Sequence, residues 1–538
     1  MQATFAATLV DEWVRGGLRD VVICPGSRST PLAAAFFARD VLRLHVRIDE
    51  RSAGFFALGR ALASRAPVAV LVTSGTAAAE LHACVAEADQ AEVPLIVITA
   101  DRPPELHGVG APQTMNQRHL YGEMVRHFEE PGVAKESEAS TWRTLARRLY
   151  FEADGGSGRS GPVHLNAAFI EPLLASGLEL PALDVVADVD ATEVASGEWR
   201  APGPKILAIV GRGTPTTWVE LARAHQWVVV GDATTNGTLA HADALLRSSD
   251  FARRARPDVV VRLGGLPASK VLLERWRAWG TTSVGFSGAG FIGDPERLIT
   301  ERFIGLPEMS ASCQGDDAYA RLWNDASELV SNWLDGRDEP LSEPVLARCV
   351  VKVANETGTP LVLGSSMPVR DVEWWAPARL VATYSNRGVS GIDGVVSTAL
   401  GVASGATALA LIGDLTMLHD VSALVDGVGP HGGTLVLVVA NNHGGGIFSF
   451  LSQADLEREQ FEILFATPRS HNLERVVESF GYQALSVTSV GELRVALDKA
   501  LGSTGLSVVV VELPTRDDNV VLHRTWNDTV IELLEANA

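Results

Sequence analysis

Two short polar motifs in the last third of the chain have the composition of a divalent-metal and phosphate site. Gly413–Asp414 closes one apolar run and Asn441–Asn442 closes the next, with Asn442 standing 28 positions after Asp414. A hard cation such as Mg²⁺ takes a carboxylate, neutral oxygens and phosphate oxygens in an octahedron, and adjacent strand ends can bring such groups together. Either dipeptide alone also serves as an ordinary turn or cap. Each of the two has an apolar run of strand length leading into it. Gly444–Gly445–Gly446 follows, and its bare backbone either cradles a diphosphate or forms a flexible loop. Near the other end of the chain, Glu50 in the run Ile-Asp-Glu-Arg-Ser closes a second apolar run and opens a helical pattern. Taken alone, a carboxylate there is simply what a helix N-terminus favours.

The elements that must hold these residues read as alternating strands and helices. Strand-length apolar runs occur at 21–24, 44–48, 68–73, 95–99 and 163–165, with helical patterns such as 51–65 and 76–91 between them. The last part repeats the plan at 360–364, 380–384, 408–412, 435–440 and 507–512. Continuous apolar strands alternating with amphipathic helices are what a parallel sheet covered on both faces requires, so the fold class is α/β. A third unit carries strands at 206–210, 227–230 and 259–263 and ends in the polar region around 310–317. Residues 178–198, rich in Asp, Glu, Val and Ala without a period, lead to Ala-Pro-Gly-Pro at 201–204 and read as a linker. In both end domains polar motifs follow directly after the strands. These are Ser27 and Arg28, Glu50, Ser74–Gly75–Thr76 and Asp101–Arg102, then Ser365 and Ser366, Asn386 and Arg387, Asp414, and Asn441–Asn442. Open parallel sheets bind ligands beyond the carboxyl ends of their strands, so the pattern describes two half-sites bridged by one cofactor.

Composition narrows the function classes. With 538 residues, 46% of them hydrophobic and 20% charged, the chain needs more than one core and is too apolar for disorder. A net charge of −20 with no Lys/Arg-rich run argues against nucleic acid as a partner. Asp11 and Glu12 stand where a signal peptide would be basic and then apolar, and the run 395–413 is broken by Ser397, Thr398, Ser404 and Thr407. Those features predict a cytoplasmic protein with no membrane span. Four cysteines without CxxC pairing suggest neither disulfides nor zinc. An acidic protein that binds acidic substrates must supply arginines locally, and Arg28, Arg102, Arg370 and Arg387 lie in the strand-end loops.

The segments at 24–32, 73–77, 99–105, 384–394 and 441–449 closely resemble the 2-succinyl-5-enolpyruvyl-6-hydroxy-3-cyclohexene-1-carboxylate synthases of menaquinone biosynthesis, a family of thiamine diphosphate enzymes. The resemblance spans both end domains in order and is thin in the middle. It implies the thiamine diphosphate-binding fold of three α/β domains, each a mainly parallel sheet flanked by helices. These would be a pyrimidine-binding domain at 1–180, a central domain at 200–335 and a diphosphate-binding domain at 345–538. The cofactors implied are thiamine diphosphate and Mg²⁺, with Mn²⁺ as an alternative metal. Asp414 and Asn442 would ligate the metal through side chains and Gly444 through its carbonyl; Leu415 stands where the motif usually has glycine. Glu50 would be the catalytic carboxylate on the far pyrimidine nitrogen, reversing the bland reading of its position. Ser74, Gly75, Thr76, Ile392, Gly413, Leu415, Gly445, Ile447 and Phe448 would also touch cofactor. Ile392 is equally compatible with a core isoleucine, and Ile447 and Phe448 either flank cofactor or fill a helix–sheet interface.

For substrate, the resemblance implies Ser27, Arg28, Arg102, Gln113, Lys270, Ser366, Arg370 and Arg387, although Val271 replaces a residue that is basic in some relatives. The reaction implied is a transferase reaction: decarboxylation of 2-oxoglutarate and conjugate addition of the carbanion to isochorismate. A homodimer or homotetramer with active sites between chains is implied as well. Rival readings fare less well. Gly-Arg-Gly at 211–213 lacks the third glycine of a dinucleotide fingerprint, where Thr216 stands. His-Gly-Gly-Gly at 443–446 resembles an esterase oxyanion hole, but the chain has no G-x-S-x-G elbow. An acetolactate synthase or simple 2-oxo acid decarboxylase stays open, although pyruvate, with one carboxylate, would not require the arginines. A non-catalytic binding protein on the same fold is disfavoured because Glu50, Asp414 and Asn442 are all present.

Overall fold

The computed structural model describes residues 1–156, 158–174, 180, 197–288, 294 and 297–537. Of the expected linker at 178–198, only 180, 197 and 198 fall among them. The chain forms two compact units: Met1–Thr192 with Asn386–Ala406 and His419–Thr434, and Glu193–Ser385 with Thr407–Leu418 and Leu435–Ala538.

In the first unit, β1 (Asp20–Ile23), β2 (Arg43–Val46), β3 (Val68–Val72), β4 (Leu95–Asp101), β5 (Phe128–Glu129) and β6 (Pro162–Ala168) form one sheet in the order β2-β1-β3-β4-β6-β5, parallel throughout. The central strands β3, β4 and β6 are buried along their whole length, polar His164 and Asn166 of β6 included. One core packs Trp13, Phe36, Leu71, Ile98 and Leu165 together. The edge strand β2 ends at Val46, two residues before the apolar run does. With a partner on one side only, Val46 and Ile48 are left exposed. The 76–91 pattern divides into helices Thr76–Glu80 and His82–Ala91, because ψ of −7° at Leu81 tightens the turn between them.

The helix Glu50–Ser64 is capped by Asp49, whose carboxylate accepts the Ser52 N–H at 3.1 Å. It packs against the helix Val395–Ala403, the buried small-residue run expected there. A Cβ on Gly59 would collide with the Thr398 carbonyl, and one on Gly401 with that of Phe56, so this approach needs glycine on both sides. Asp420 closes the N-terminal end of the second helix, accepting the Ser397 N–H at 2.7 Å and its hydroxyl at 3.2 Å, with Arg51 3.6 Å away. Burial outweighs these partners and pushes the Asp420 carboxyl up to about 6. A folded value above the unfolded one of about 3.9 means the group favours folding fully below about pH 4 and loses that contribution as pH rises through about 6. Asp420→Asn keeps the acceptor for Ser397 and should flatten this dependence by about 2–3 kcal/mol. Urea unfolding at pH 4.5 and 7.5 measures it; an unchanged difference between the two pH values would refute the assignment.

The second unit carries the remaining strands. β7 (Glu198–Trp199) pairs with β13 (Glu308–Met309). β8 (Ile206–Val210), β9 (Val228–Gly231), β10 (Val259–Leu263), β11 (Thr282–Ser287) and β12 (Glu301–Ile304) form a parallel sheet in the order β12-β11-β10-β8-β9. A six-stranded sheet follows, in the order β15-β14-β16-β17-β19-β18. Its members are β14 (Leu361–Leu363), β15 (Thr383–Tyr384), β16 (Thr407–Gly413), β17 (Thr434–Asn441), β18 (Gln483–Val487) and β19 (Gly505–Glu512). Its registered pairs β14/β15, β14/β16 and β18/β19 are parallel. The strands that the apolar pattern did not announce include the edge strands β5, β12 and β18, which lack the doubly buried faces that produce an apolar run. All four cysteines are free and buried, and no helix among the described residues is long and apolar enough to cross a membrane.

Candidate active site

The strand ends of the first unit open onto a cavity of about 830 Å³. Ser27, Glu50, Thr76 and Gln113 line it together with Asp49, Arg51 and Glu80. Glu50 is the first residue of its helix, so the helix N-terminus and a half-buried carboxylate face the same space. Burial raises the Glu50 carboxyl above the ordinary range, and neighbouring Asp49 and Glu80 raise it further. A carboxyl so placed can share a proton with a ring nitrogen instead of standing as a fully solvated anion.

A buried polar network sets the rest of this wall. Gly75, at φ +83°, gives its N–H to Gln117 Oε1 at 2.8 Å. The Gln117 amide donates to Asn166 Oδ1 at 2.9 Å, and Asn166 donates to Asp101 Oδ2 at 2.9 Å. Asp101 in turn accepts the Arg102 N–H at 2.7 Å. Asn166 therefore couples the turn that holds Ser74 and Gly75 to the one that holds Arg102. Ser74 accepts a hydrogen bond from the Arg102 guanidinium and donates to the Gln113 carbonyl at 3.1 Å. Arg28 donates to the Phe169 carbonyl at 2.9 Å and reaches Glu171 at 3.5 Å. Burial, with Arg28 opposite, holds Arg102 below its ordinary value. Each guanidinium is a donor fork of the kind that receives a carboxylate.

Arg387 and Ile392 lie in the loop ahead of the helix Val395–Ala403, both half-buried. That loop is clamped by the buried Glu87, which accepts the N–H groups of Gly388 at 2.6 Å and Val389 at 2.7 Å. Ser366 and Arg370 belong to the second unit, at the start of the helix Met367–Trp375. Ser366 has φ +74°, and its carbonyl accepts from Arg370 at 2.6 Å. Lys270 opens the helix Lys270–Trp279 as an exposed residue. A separate cavity of about 680 Å³ in this unit, lined by Arg223, Trp227, Arg321 and Arg379 among others, holds none of the expected site residues.

The second unit brings the Gly-Asp and Asn-Asn motifs together. Asp414 opens the helix Asp414–His419 directly after β16, and its carboxylate accepts the N–H of Leu415 and of Gly444, each at 2.8 Å. Burial nonetheless pushes it up to about 6. Asn442, just past β17, donates its amide to the buried Glu343 at 2.8 Å, while its Oδ1 is buried with no hydrogen-bond partner among the described residues. Glu343 itself is pushed up to about 8, first by burial and then by Asp371 nearby. A Cβ on Gly413 would meet only Thr416 Oγ1, at 4.0 Å. The glycine run is not a loose loop. A Cβ on Gly444 would collide with the Ala466 carbonyl, one on Gly445 would lie 2.7 Å from the Phe465 carbonyl, and one on Gly446 2.5 Å from the Asn442 amide. Phe448 packs on Phe465 at 5.5 Å, and Ile447 beside it is half-buried. The Gly444 carbonyl accepts the Gly446 N–H at 2.9 Å, which leaves its second lone pair. A carboxylate, an amide oxygen without a partner among the described residues and a backbone carbonyl are oxygen donors of the kind Mg²⁺ takes.

Families described as "Thiamine pyrophosphate enzyme, N-terminal TPP binding domain" and "Thiamine pyrophosphate enzyme, C-terminal TPP binding domain" match residues 3–120 and 373–511. The 2-succinyl-5-enolpyruvyl-6-hydroxy-3-cyclohexene-1-carboxylate synthase of Geobacillus kaustophilus is 36% identical, over 99% of this chain and 98% of that protein. The synthase of the same name from Thermobifida fusca is 41% identical, over 94% and 95%. The chain belongs to this synthase family. Its members are thiamine diphosphate enzymes, and both half-sites described above fall within or beside the matched segments. The fold is also that of a solved benzoylformate decarboxylase from Polynucleobacter necessarius, with TM-score 0.68 and 17% identity over 95% of this chain and 98% of that one.

Three groups in this site had no signal in the sequence. Glu343, in Ser-Glu-Pro, reads as an ordinary helix start. Gln117 and Asn166 are single polar residues, one in an irregular loop and the other in a strand. Only tertiary contact gives them a role.

Proposed function

We propose that this chain decarboxylates 2-oxoglutarate and adds the resulting four-carbon unit to isochorismate, giving 2-succinyl-5-enolpyruvyl-6-hydroxy-3-cyclohexene-1-carboxylate. The near full-length identity of 36–41% to synthases of that name carries the reading. When bound, thiamine diphosphate supplies the carbanion chemistry. Glu50 holds a proton at the far pyrimidine nitrogen, beside Ser74, Gly75, Thr76 and Ile392. Asp414, Asn442 and the Gly444 carbonyl hold Mg²⁺, or Mn²⁺ in its place, and Gly413, Leu415, Gly445, Ile447 and Phe448 surround the diphosphate end. The Asn442 oxygen, without a partner among the described residues, and the room at Gly413 support this assignment.

Ser27, Arg28, Arg102, Gln113, Lys270, Ser366, Arg370 and Arg387 recognise substrate, with the guanidiniums of Arg28 and Arg102 suited to receive a carboxylate. Residues 1–180, 200–335 and 345–538 serve as pyrimidine-binding, central and diphosphate-binding domains. The protein works in the cytoplasm as a homodimer or homotetramer, each site completed by two chains. An acetolactate-type carboligase is not favoured by these relatives.

Incubation with 2-oxoglutarate, isochorismate, thiamine diphosphate and Mg²⁺, following loss of isochorismate absorbance, tests the reaction. Arg387→Ala or Arg370→Ala should then lower kcat/KM by roughly ten- to a hundredfold, the scale of one charged hydrogen bond of about 1.5–3 kcal/mol, while cofactor affinity holds. Arg→Lys should also impair use, since one ammonium cannot reproduce a bidentate fork. A parent enzyme that prefers pyruvate would overturn the dicarboxylate reading.

A further inference from the structure

We infer that Glu343 is a positioning residue for the metal: by holding the amide nitrogen of Asn442 it turns the amide oxygen toward the cation. The inference rests on the metal reading above. An asparagine amide has one accepting end and one donating end of nearly equal shape, and only the oxygen can ligate a cation. At Asn442 the choice between them is made by Glu343, whose Oε1 accepts from Nδ2 at 2.8 Å. The opposite end, Oδ1, is buried without a partner among the described residues. A buried carbonyl left unpaired is costly, and a hard cation is the natural compensation.

The arrangement is built in from several directions. Glu343 opens the helix Glu343–Thr357 and is only 6% exposed, so its carboxyl cannot swing away into water. Gly446, the third glycine of the run, leaves room for the pair, since a Cβ there would lie 2.5 Å from the Asn442 amide nitrogen and 3.6 Å from Glu343 Oε1. Asp414, the other side-chain ligand, is held separately by the N–H groups of Leu415 and Gly444. Each side-chain ligand therefore has its own orienting contact, as metal sites with well-defined geometry generally do. A carboxyl oxygen accepts in either protonation state, so glutamine should serve in place of glutamate.

The test is the Mg²⁺ dependence of thiamine diphosphate binding to the purified protein, titrated by tryptophan fluorescence, alongside thermal melting without cofactor. Glu343→Gln retains an acceptor and should keep Mg²⁺ affinity within about threefold. Glu343→Met has similar length and no acceptor, and should weaken Mg²⁺ by about tenfold or more, the scale on which second-layer partners of metal ligands act. A folded Met variant with parent affinity, while Asn442→Ala is weak, would overturn the role of Glu343 and leave the metal site standing. Parent affinity in Asn442→Ala and Asp414→Ala as well would overturn the metal reading and the inference with it. Should the Met variant not fold, a folded Gln variant weakened tenfold is sufficient to overturn the proposal.

Discussion

Asp414→Ala should leave a folded chain that no longer retains thiamine diphosphate at any practical Mg²⁺ concentration. The carboxylate is the one charged protein ligand in the proposed donor set, beside the neutral oxygens of Asn442 and Gly444. Its loss removes charge attraction to the metal and, through the metal, the link between protein and diphosphate. Asp414 also fastens the turn after β17 by accepting the Gly444 N–H at 2.8 Å, so the variant loosens a second ligand at the same time. Together these should weaken binding by at least about a hundredfold, since removing each charge-assisted interaction costs about 1.5–3 kcal/mol. Equilibrium titration in saturating Mg²⁺, with circular dichroism to establish the fold, measures the effect. Affinity within a few-fold of the parent would mean the metal lies elsewhere.

Glu50→Gln should separate binding from chemistry. Glutamine preserves the shape of the residue and the start of the helix Glu50–Ser64, with Asp49 still capping it. The chain should fold and bind cofactor nearly as the parent does. It should lose activity by roughly 10²–10⁴-fold, because an amide cannot hand a proton to the pyrimidine nitrogen. The carboxyl of Glu50 is raised by burial and by Asp49 and Glu80, which suits a group that must share a proton. Hydrogen–deuterium exchange at the cofactor C2 position reads this step without substrate. Exchange as fast as in the parent would remove Glu50 from the mechanism.

Much of this site was legible before folding, and the residues themselves show why. Asp414 and Asn442 announce themselves because each follows an apolar run long enough to be a strand, and parallel strands present their ends to one side of the sheet. Glu50 was legible by the same logic, although its proposed role comes from resemblance and not from position. Gly444 to Gly446 were recognised as special but for an incomplete reason. Whatever ligand they meet, the segment at Phe465 and Ala466 and the Asn442 amide already occupy the space a side chain would need. The edge strands β5, β12 and β18 escaped detection because an edge is buried on fewer sides and its sequence carries no apolar run.

The α/β class, the positions of the main strands along the chain and, through the motifs, the family can be read from the amino-acid sequence. Those properties follow from periodicity and from short spacings, which a chain carries in linear form. It takes the folded chain to bring Glu343 to Asn442, 99 positions away, to let Asn166 couple the turns of Gly75 and Arg102 through Gln117 and Asp101, and to let Glu87 clamp the loop of Arg387 from about 300 positions away, through the N–H groups of Gly388 and Val389. Each is a single buried polar residue satisfied by a distant partner. The need for a partner is local, but its identity is fixed only when the strands and helices that carry both have packed.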